Sequence, residues 1–380
     1  MLECTQQGNV RQTAGNYRTV LLHDPHLGGA FRLNMFTDKI DITRDLGWYR
    51  ESENLTDVDL KFLVLYFEKN YGLANEKRID DAIKVVANEN RYHPVQDYLN
   101  ALQWDKVERI RYALHYFLGA EISDYTYEVL KLFMLGTIAR VFRPGIKFEV
   151  MLCLVGGQGA GKSTFFRFLA MKDDWFTDDL KKMDDENVYR KLQGHLIVEF
   201  PEMVAILNAK NVECCHLIKL YMDLCKTDRS YNSMLCGIIT IKEDDAKAKL
   251  QKDTYKTPYD KHPKDHKRQC VFAGSSNSLD FLPMDRSGNR RFLPIQCNVN
   301  EAEVHILDDE KVSREYIAQM WAEAMEIYRS GNYMLKLPKK TQEELCEYQK
   351  RFMQEDTKKE LILDYLEHCK GNMVCSRLLY

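Results

Sequence analysis

The apolar positions of this chain follow two rhythms. From residue 51 to 145, and again beyond 300, they recur every three or four residues, as on an amphipathic helix; in between they collect into short unbroken runs, as in buried strands. Leu60, Leu63, Val64 and Phe67 share one helical face, with Thr56 placed to cap its start and Gly72 just past its end. Further helices are predicted over 79–87, 95–102, 107–117 and 125–141, and the turn Arg143-Pro144-Gly145 closes the series. Toward the C-terminus, Tyr316, Ile317, Met320, Trp321, Ala324, Met325 and Tyr328 form a core-packing stripe that Gly331 ends. Residues 341–344 then spell a capping box ahead of Leu345, Tyr348 and Phe352.

The strand-like runs are four. Residues 150–155 are wholly apolar and lead into Gly156, Gly157, Gln158, Gly159, Ala160, Gly161, Lys162, Ser163 and Thr164, which open onto the helical face Phe165, Phe166 and Leu169. A second run, 194–199, ends on Glu199, and a third, 270–274, ends in Ser275, Ser276 and Asn277. The fourth, Phe292, Leu293, Pro294 and Ile295, follows Arg290 and Arg291. The expected class is α/β: a parallel sheet flanked by helices, built as a P-loop nucleotide-hydrolase core, with helical regions before and after it. Four parts are expected: a small strand-containing lead-in over 1–50, with apolar runs at 19–22 and 30–33 and turns at Asp24-Pro25 and Gly28-Gly29; a helical domain or collar over 51–145; the ATPase domain over 146–300; and a helical region over 301–380.

The loop between the first run and its helix has the spelling G-x-x-x-x-G-K-S. Glycines let backbone N–H groups turn inward around a phosphate without a Cβ clash. Lys162 then serves the β and γ phosphates of ATP, Ser163 offers a hydroxyl to Mg2+, and the helix start adds its partial positive charge. A nucleoside triphosphate arrives with a metal that such a loop does not fully coordinate, so Glu199 is the candidate metal-side or water-activating acid, with Glu202 the second candidate for general base. Asn277 is placed to orient the attacking water and sense the γ phosphate, and Arg290 or Arg291 to present a guanidinium to it.

The net charge of −3 over 380 residues gives no global basic field, so nucleic acid must be met by a local patch. Lys256, Lys261, Lys264 and Lys267 concentrate positive charge between the second and third runs and are the candidate DNA contacts. The 11 cysteines fall in no C-x-x-C or Cys/His metal spacing, and adjacent Cys214 and Cys215 are unsuited to an ordinary disulfide, which points to a reducing, cytoplasmic setting. No apolar stretch is long enough for a bilayer, and no secretory leader is legible.

Together the motifs resemble the virulence-associated E family, a group of phage- and genomic-island-borne NTPases similar to superfamily 3 helicases of the AAA+ class. The most specific parts are residues 156–164, the segment from Ile197 through Glu199 to Glu202, Arg268-Gln269, Ser276-Asn277, and the segment from Ser287 through Arg290 and Arg291 to Phe292. The resemblance implies that 156–163 is a Walker A loop, Glu199 and Glu202 Walker B acids, Asn277 a sensor and Arg290 or Arg291 an arginine finger acting across a subunit boundary. It further implies a ring-shaped homo-oligomer acting on DNA, most simply single-stranded, in replication of a mobile element beside a primase or initiator. An NTP-binding switch that unwinds nothing and a small-molecule kinase are the competing classes; an arginine pair after a sensor strand disfavours the kinase. Two departures stand out. Residues 214–250 intervene where the family runs more directly, and the chain stops just after Ser376, which has the look of a helix cap, so a truncated C-terminus is expected.

Overall fold

The computed structural model describes residues 1–179, 192–201, 203, 254–255, 264–265, 267–282 and 291–353. The chain divides into two compact units, Met1–Ala101 and Leu102–Tyr380. The break therefore falls inside the stretch that the periodicity presents as one helical region.

The first unit comprises α1 (Ala14–His23), the antiparallel pair β1 (Phe31–Asn34) and β2 (Lys39–Ile42), α2 (Asp57–Tyr71), α3 (Glu76–Glu89) and α4 (Pro94–Ala101). Thr56 does cap α2: its hydroxyl accepts from Asp59 N while the Asp59 carboxylate accepts from Thr56 N at 2.9 Å, and Gly72 closes the helix with φ of 65°. Of the two apolar runs in the lead-in, 30–33 runs into β1, whereas 19–22 is helical. That run lies in α1, where Tyr17, Val20 and Leu21 are buried against Phe31, Phe67 and Ile83. Gly15 and Asn16 weaken the helical pattern, and the available signal was Thr13, whose hydroxyl caps the helix through Asn16 N.

In the second unit, α5 (Ile110–Leu118) and α6 (Asp124–Phe142) precede β3 (Met151–Val155), α7 (Lys162–Leu169), β4 (Phe176–Thr177) and β5 (Ile197–Phe200). A separate antiparallel pair follows, β6 (Thr254–Tyr255) with β7 (Lys264–Asp265), then β8 (Val271–Ser276), β9 (Phe292–Gln296), α8 (Glu310–Ser330) and α9 (Lys339–Lys350). Five strands form one parallel sheet in the order β4-β5-β8-β3-β9. All four apolar runs are in it; the fifth strand, β4, is two residues long and carries no periodicity to read.

Both faces of the sheet are covered, which is why the strands read as continuous apolar runs rather than alternating ones. Met151, Cys153 and Val155 cluster with Val198, Phe200, Phe272, Phe292 and Phe352, while Leu152 and Leu154, at the intervening positions, are equally buried. The indole N–H of Trp321 on α8 donates to Leu169 O at the end of α7 (3.0 Å), which ties the predicted aromatic stripe to the helix that follows the glycine loop. Along the outer edge of β9, side chains take the groups another strand would use. Gln349 Nε2 donates to Phe292 O (2.7 Å), Tyr125 OH to Pro294 O (2.9 Å), and Gln296 N to Tyr348 OH (3.3 Å). The capping box expected at 341–344 is corrected: α9 starts after Pro338, so Thr341 is within the helix and buried.

The start of α5 is capped from a distance. Glu323 on α8 is 3 % exposed, and its Oε2 accepts from Arg109 N at 2.7 Å and Ile110 N at 3.1 Å. Burial raises this carboxyl above its ordinary value although both N–H groups pull it down. The fold thus binds the proton more tightly than the unfolded chain does, and stability is lost as pH rises through the folded-state pKa. Glu323→Gln keeps the acceptor without the charge. Its melting midpoint is expected to lie above wild type at neutral pH by about 2–4 °C, the difference closing on acidification below the ordinary glutamate range. A gap independent of pH would assign the effect to packing instead.

Candidate nucleotide-binding site

The site lies at the C-terminal tips of β3, β5 and β8, where a parallel sheet gathers loops at one end. Backbone pairing carries past β3 on both sides, with Gly156 N donating to Ser276 O (3.0 Å) and Cys297 N to Val155 O (2.7 Å). This squeeze requires glycine at 156, since a Cβ there would stand 2.6 Å from Cys297 O. Gly159 and Gly161 then take φ of 78° and 75°, and the loop turns back into α7.

Lys162, 6 % exposed, folds over the loop it follows. Its Nζ donates to Gly156 O (2.8 Å), Gly157 O (2.7 Å) and Asn277 Oδ1 (3.0 Å), joining the loop to the tip of β8. Burial lowers its pKa from the ordinary lysine value, with Cys297 and Glu199 acting in the opposite direction. Next in sequence, Ser163 Oγ donates to Glu199 Oε1 at 2.7 Å, and Ser275 Oγ donates to the same oxygen at 2.6 Å. Glu199 is fully buried, which raises its pKa despite the two hydroxyls. Its second oxygen, Oε2, is buried with no hydrogen-bond partner among the described residues.

Of the predicted residues, the structure thus brings together Gly156, Gly157, Lys162, Ser163, Glu199 and Asn277. Ser275 belongs with them, although the sequence marks it only as part of a strand end; that its hydroxyl meets Glu199 depends on β5 and β8 being neighbours. Arg291 is not brought there. It precedes β9, whose first residue pairs with Met151 at the far end of β3 from the glycine loop, so about 13 Å of strand, at about 3.3 Å per residue, separates the two. It is also buried, at 7 % exposure. Glu202, Lys256, Lys261 and Arg290 lie outside the described residues, as does all of 214–250. Lys264 is in β7, where Tyr255 pairs with it, and Lys267 is exposed.

The donor set fits a hard cation beside a phosphate. A buried carboxylate oxygen without a partner next to a serine hydroxyl is oxygen chemistry of the magnesium kind, and Gly157 and Gly159 leave open the space a Cβ would fill. Among the described residues no cluster of three or more His, Cys, Asp or Glu is placed to hold a metal ion.

A five-stranded parallel sheet flanked by helices, with a glycine loop and a buried acid at its strand tips, is the class that fold and site define. The chain belongs to the virulence-associated protein E-like family, whose model matches residues 99–223 and 242–354, more than half its length. The resemblance drawn from the motifs is borne out, and the break in the match falls within the 214–250 departure. A second model, of a family of unknown function, matches 205–267. No curated protein matches. Solved structures similar to the chain include two described as the A-form apo structure of the NrS-1 C-terminal region. Each is 16 % identical with a TM-score of 0.43; the alignments cover 89 % and 88 % of this chain and 77 % and 71 % of theirs. Among the described residues no helix is long and apolar enough to cross a membrane.

Proposed function

We propose that this chain is a P-loop ATPase of the superfamily 3, AAA+ kind, acting on DNA in the replication of a mobile element. The observation that carries the reading is the Ser163–Glu199–Ser275 hydrogen-bond set beside Lys162 on adjoining strand tips. A buried acid held by two hydroxyls and keeping one oxygen unpartnered beside a lysine-bearing glycine loop is what triphosphate hydrolysis asks of a protein. In this reading the loop N–H groups and Lys162 bind the β and γ phosphates of ATP, and Lys162 turns from Gly156 O and Gly157 O toward them. Ser163 and Glu199 would hold Mg2+, and the ion would supply positive charge beside the phosphates. Asn277 orients the attacking water, and Glu199 or Glu202 takes its proton.

The arginines fit a shared site. In this reading a neighbour in a ring receives the guanidinium of Arg290 or Arg291; Arg291 starts β9 away from its own glycine loop and is buried, which favours Arg290 for that role. Mixing a Lys162→Ala chain with an Arg290→Ala/Arg291→Ala chain, each inactive alone, should restore part of the ATPase activity. No recovery in a mixture shown to co-assemble would remove the finger role. The DNA side is assigned to Lys256, Lys261, Lys264 and Lys267, which concentrate positive charge in and next to the antiparallel pair β6 and β7. A primase or initiator is the partner class such a motor serves.

The deciding experiment is phosphate release from ATP with and without single-stranded DNA. DNA-stimulated release supports the motor; nucleotide binding with release indifferent to DNA would favour an NTP switch; no nucleotide binding would overturn the reading.

A further inference from the structure

The segment between β9 and α8 returns over the glycine loop on the side away from Glu199. Because β3 lies between β8 and β9, the acid and Asn277 flank the loop on one side and this segment on the other. Its backbone is held from two helices: Glu303 N and Val304 N both donate to Tyr116 O of α5 (3.1 Å each), and Ser313 Oγ of α8 donates to Ile306 O (2.9 Å). At Gly161, the residue that caps α7, a Cβ would stand 3.1 Å from Ile306 Cγ2 and 3.9 Å from His305 Nε2. The ring is oriented by its own turn, since Leu307 N donates to His305 Nδ1 (3.3 Å) and His305 N to Asp308 Oδ2 (3.1 Å). With Nδ1 accepting, the neutral ring carries its proton on Nε2, the atom facing the loop.

We propose that His305 and Ile306 form the sugar-side wall of the nucleotide site, His305 Nε2–H donating to an oxygen at the ribose and α-phosphate end of a bound adenine nucleotide. The proposal rests on the nucleotide reading of the glycine loop. A triphosphate whose terminal phosphate lies toward Glu199 and Asn277 runs its other end across the loop toward β9, where a buried isoleucine and a pre-oriented donor stand. Contacts at that end are common to ATP and ADP, so His305 sets affinity without sensing the γ phosphate.

The test compares His305→Asn, whose amide oxygen still accepts from Leu307 N but whose donor no longer reaches the loop, with His305→Gln, whose N–H reaches about as far as Nε2. Calorimetric dissociation constants for ADP and ATP, with the nucleotide-induced rise in melting midpoint as an internal correction for any change in the unliganded chain, are the readouts. His305→Asn should weaken both nucleotides by the same factor, about three- to tenfold for one hydrogen bond, and His305→Gln should recover most of the loss. Unchanged affinity in His305→Asn, or a loss confined to ATP, overturns the proposal while leaving the glycine-loop reading intact. A wild-type chain that binds neither nucleotide overturns both.

Discussion

Lys162→Ala is expected to reduce ATP turnover by about a hundredfold or more and to weaken nucleotide binding, whereas Glu199→Gln is expected to stop turnover while nucleotide still binds. The two substitutions separate because the residues do different work. Lys162 Nζ is the buried cation that closes the loop onto Asn277, so alanine removes both the charge offered to the phosphates and three hydrogen bonds at 2.7–3.0 Å. Glutamine at 199 still accepts from Ser163 and Ser275 and keeps the shape of the strand tip, but brings no negative charge for a metal or for water. Steady-state phosphate release and calorimetric binding on the same preparations decide the matter. Wild-type turnover in Lys162→Ala would refute the assignment of the loop.

Gly119→Ala is expected to cost about 3 kcal/mol or more of folding stability, read from urea denaturation, and to weaken nucleotide binding with it. Gly119 ends α5 in the left-handed region at φ of 61°, a conformation already unfavourable for alanine. Steric overlap destabilises the variant further. A Cβ would lie 1.8 Å from Asn298 O and 2.8 Å from Ala302 N, so the 298–302 backbone must move. That backbone is hydrogen-bonded to Leu118 O through Asn298 N and leads directly to His305 and Ile306 over the glycine loop. A drop in stability with unchanged ADP affinity would show that the displacement is absorbed before it reaches the loop.

What the sequence discloses here follows from how local each signal is. The glycine loop, the apolar strands and the capped helix α2 are written within a dozen residues each, as periodicity or as spacing around a turn, and they are found close to where the sequence places them. The helix α1 and strand β4 escaped because one mixes glycine and asparagine into its first turn and the other is two residues long. At the site, the residue types at Lys162, Ser163 and Glu199 were legible from spacing, but the pairings are not local. Ser275 meets Glu199 across 76 residues and Asn277 meets Lys162 across 115, contacts that exist only because the sheet is ordered β5-β8-β3. His305 carries no motif at all; it is recognisable only once Gly161 and the segment before α8 are seen side by side.

The side chains along the outer rim of β9 bear on how copies of this chain can meet. Tyr125, Tyr348 and Gln349 hold Pro294 O, Gln296 N and Phe292 O, and proline at 294 has no N–H to offer in the first place. A strand from another molecule therefore finds no ladder to join at this rim, and the opposite one, β4, is two residues long. Among the described residues this sheet therefore offers little to strand addition at either rim, which guards it against edge-to-edge aggregation and favours ordered assembly through loops and helices, surfaces that can part and re-form without unravelling the sheet.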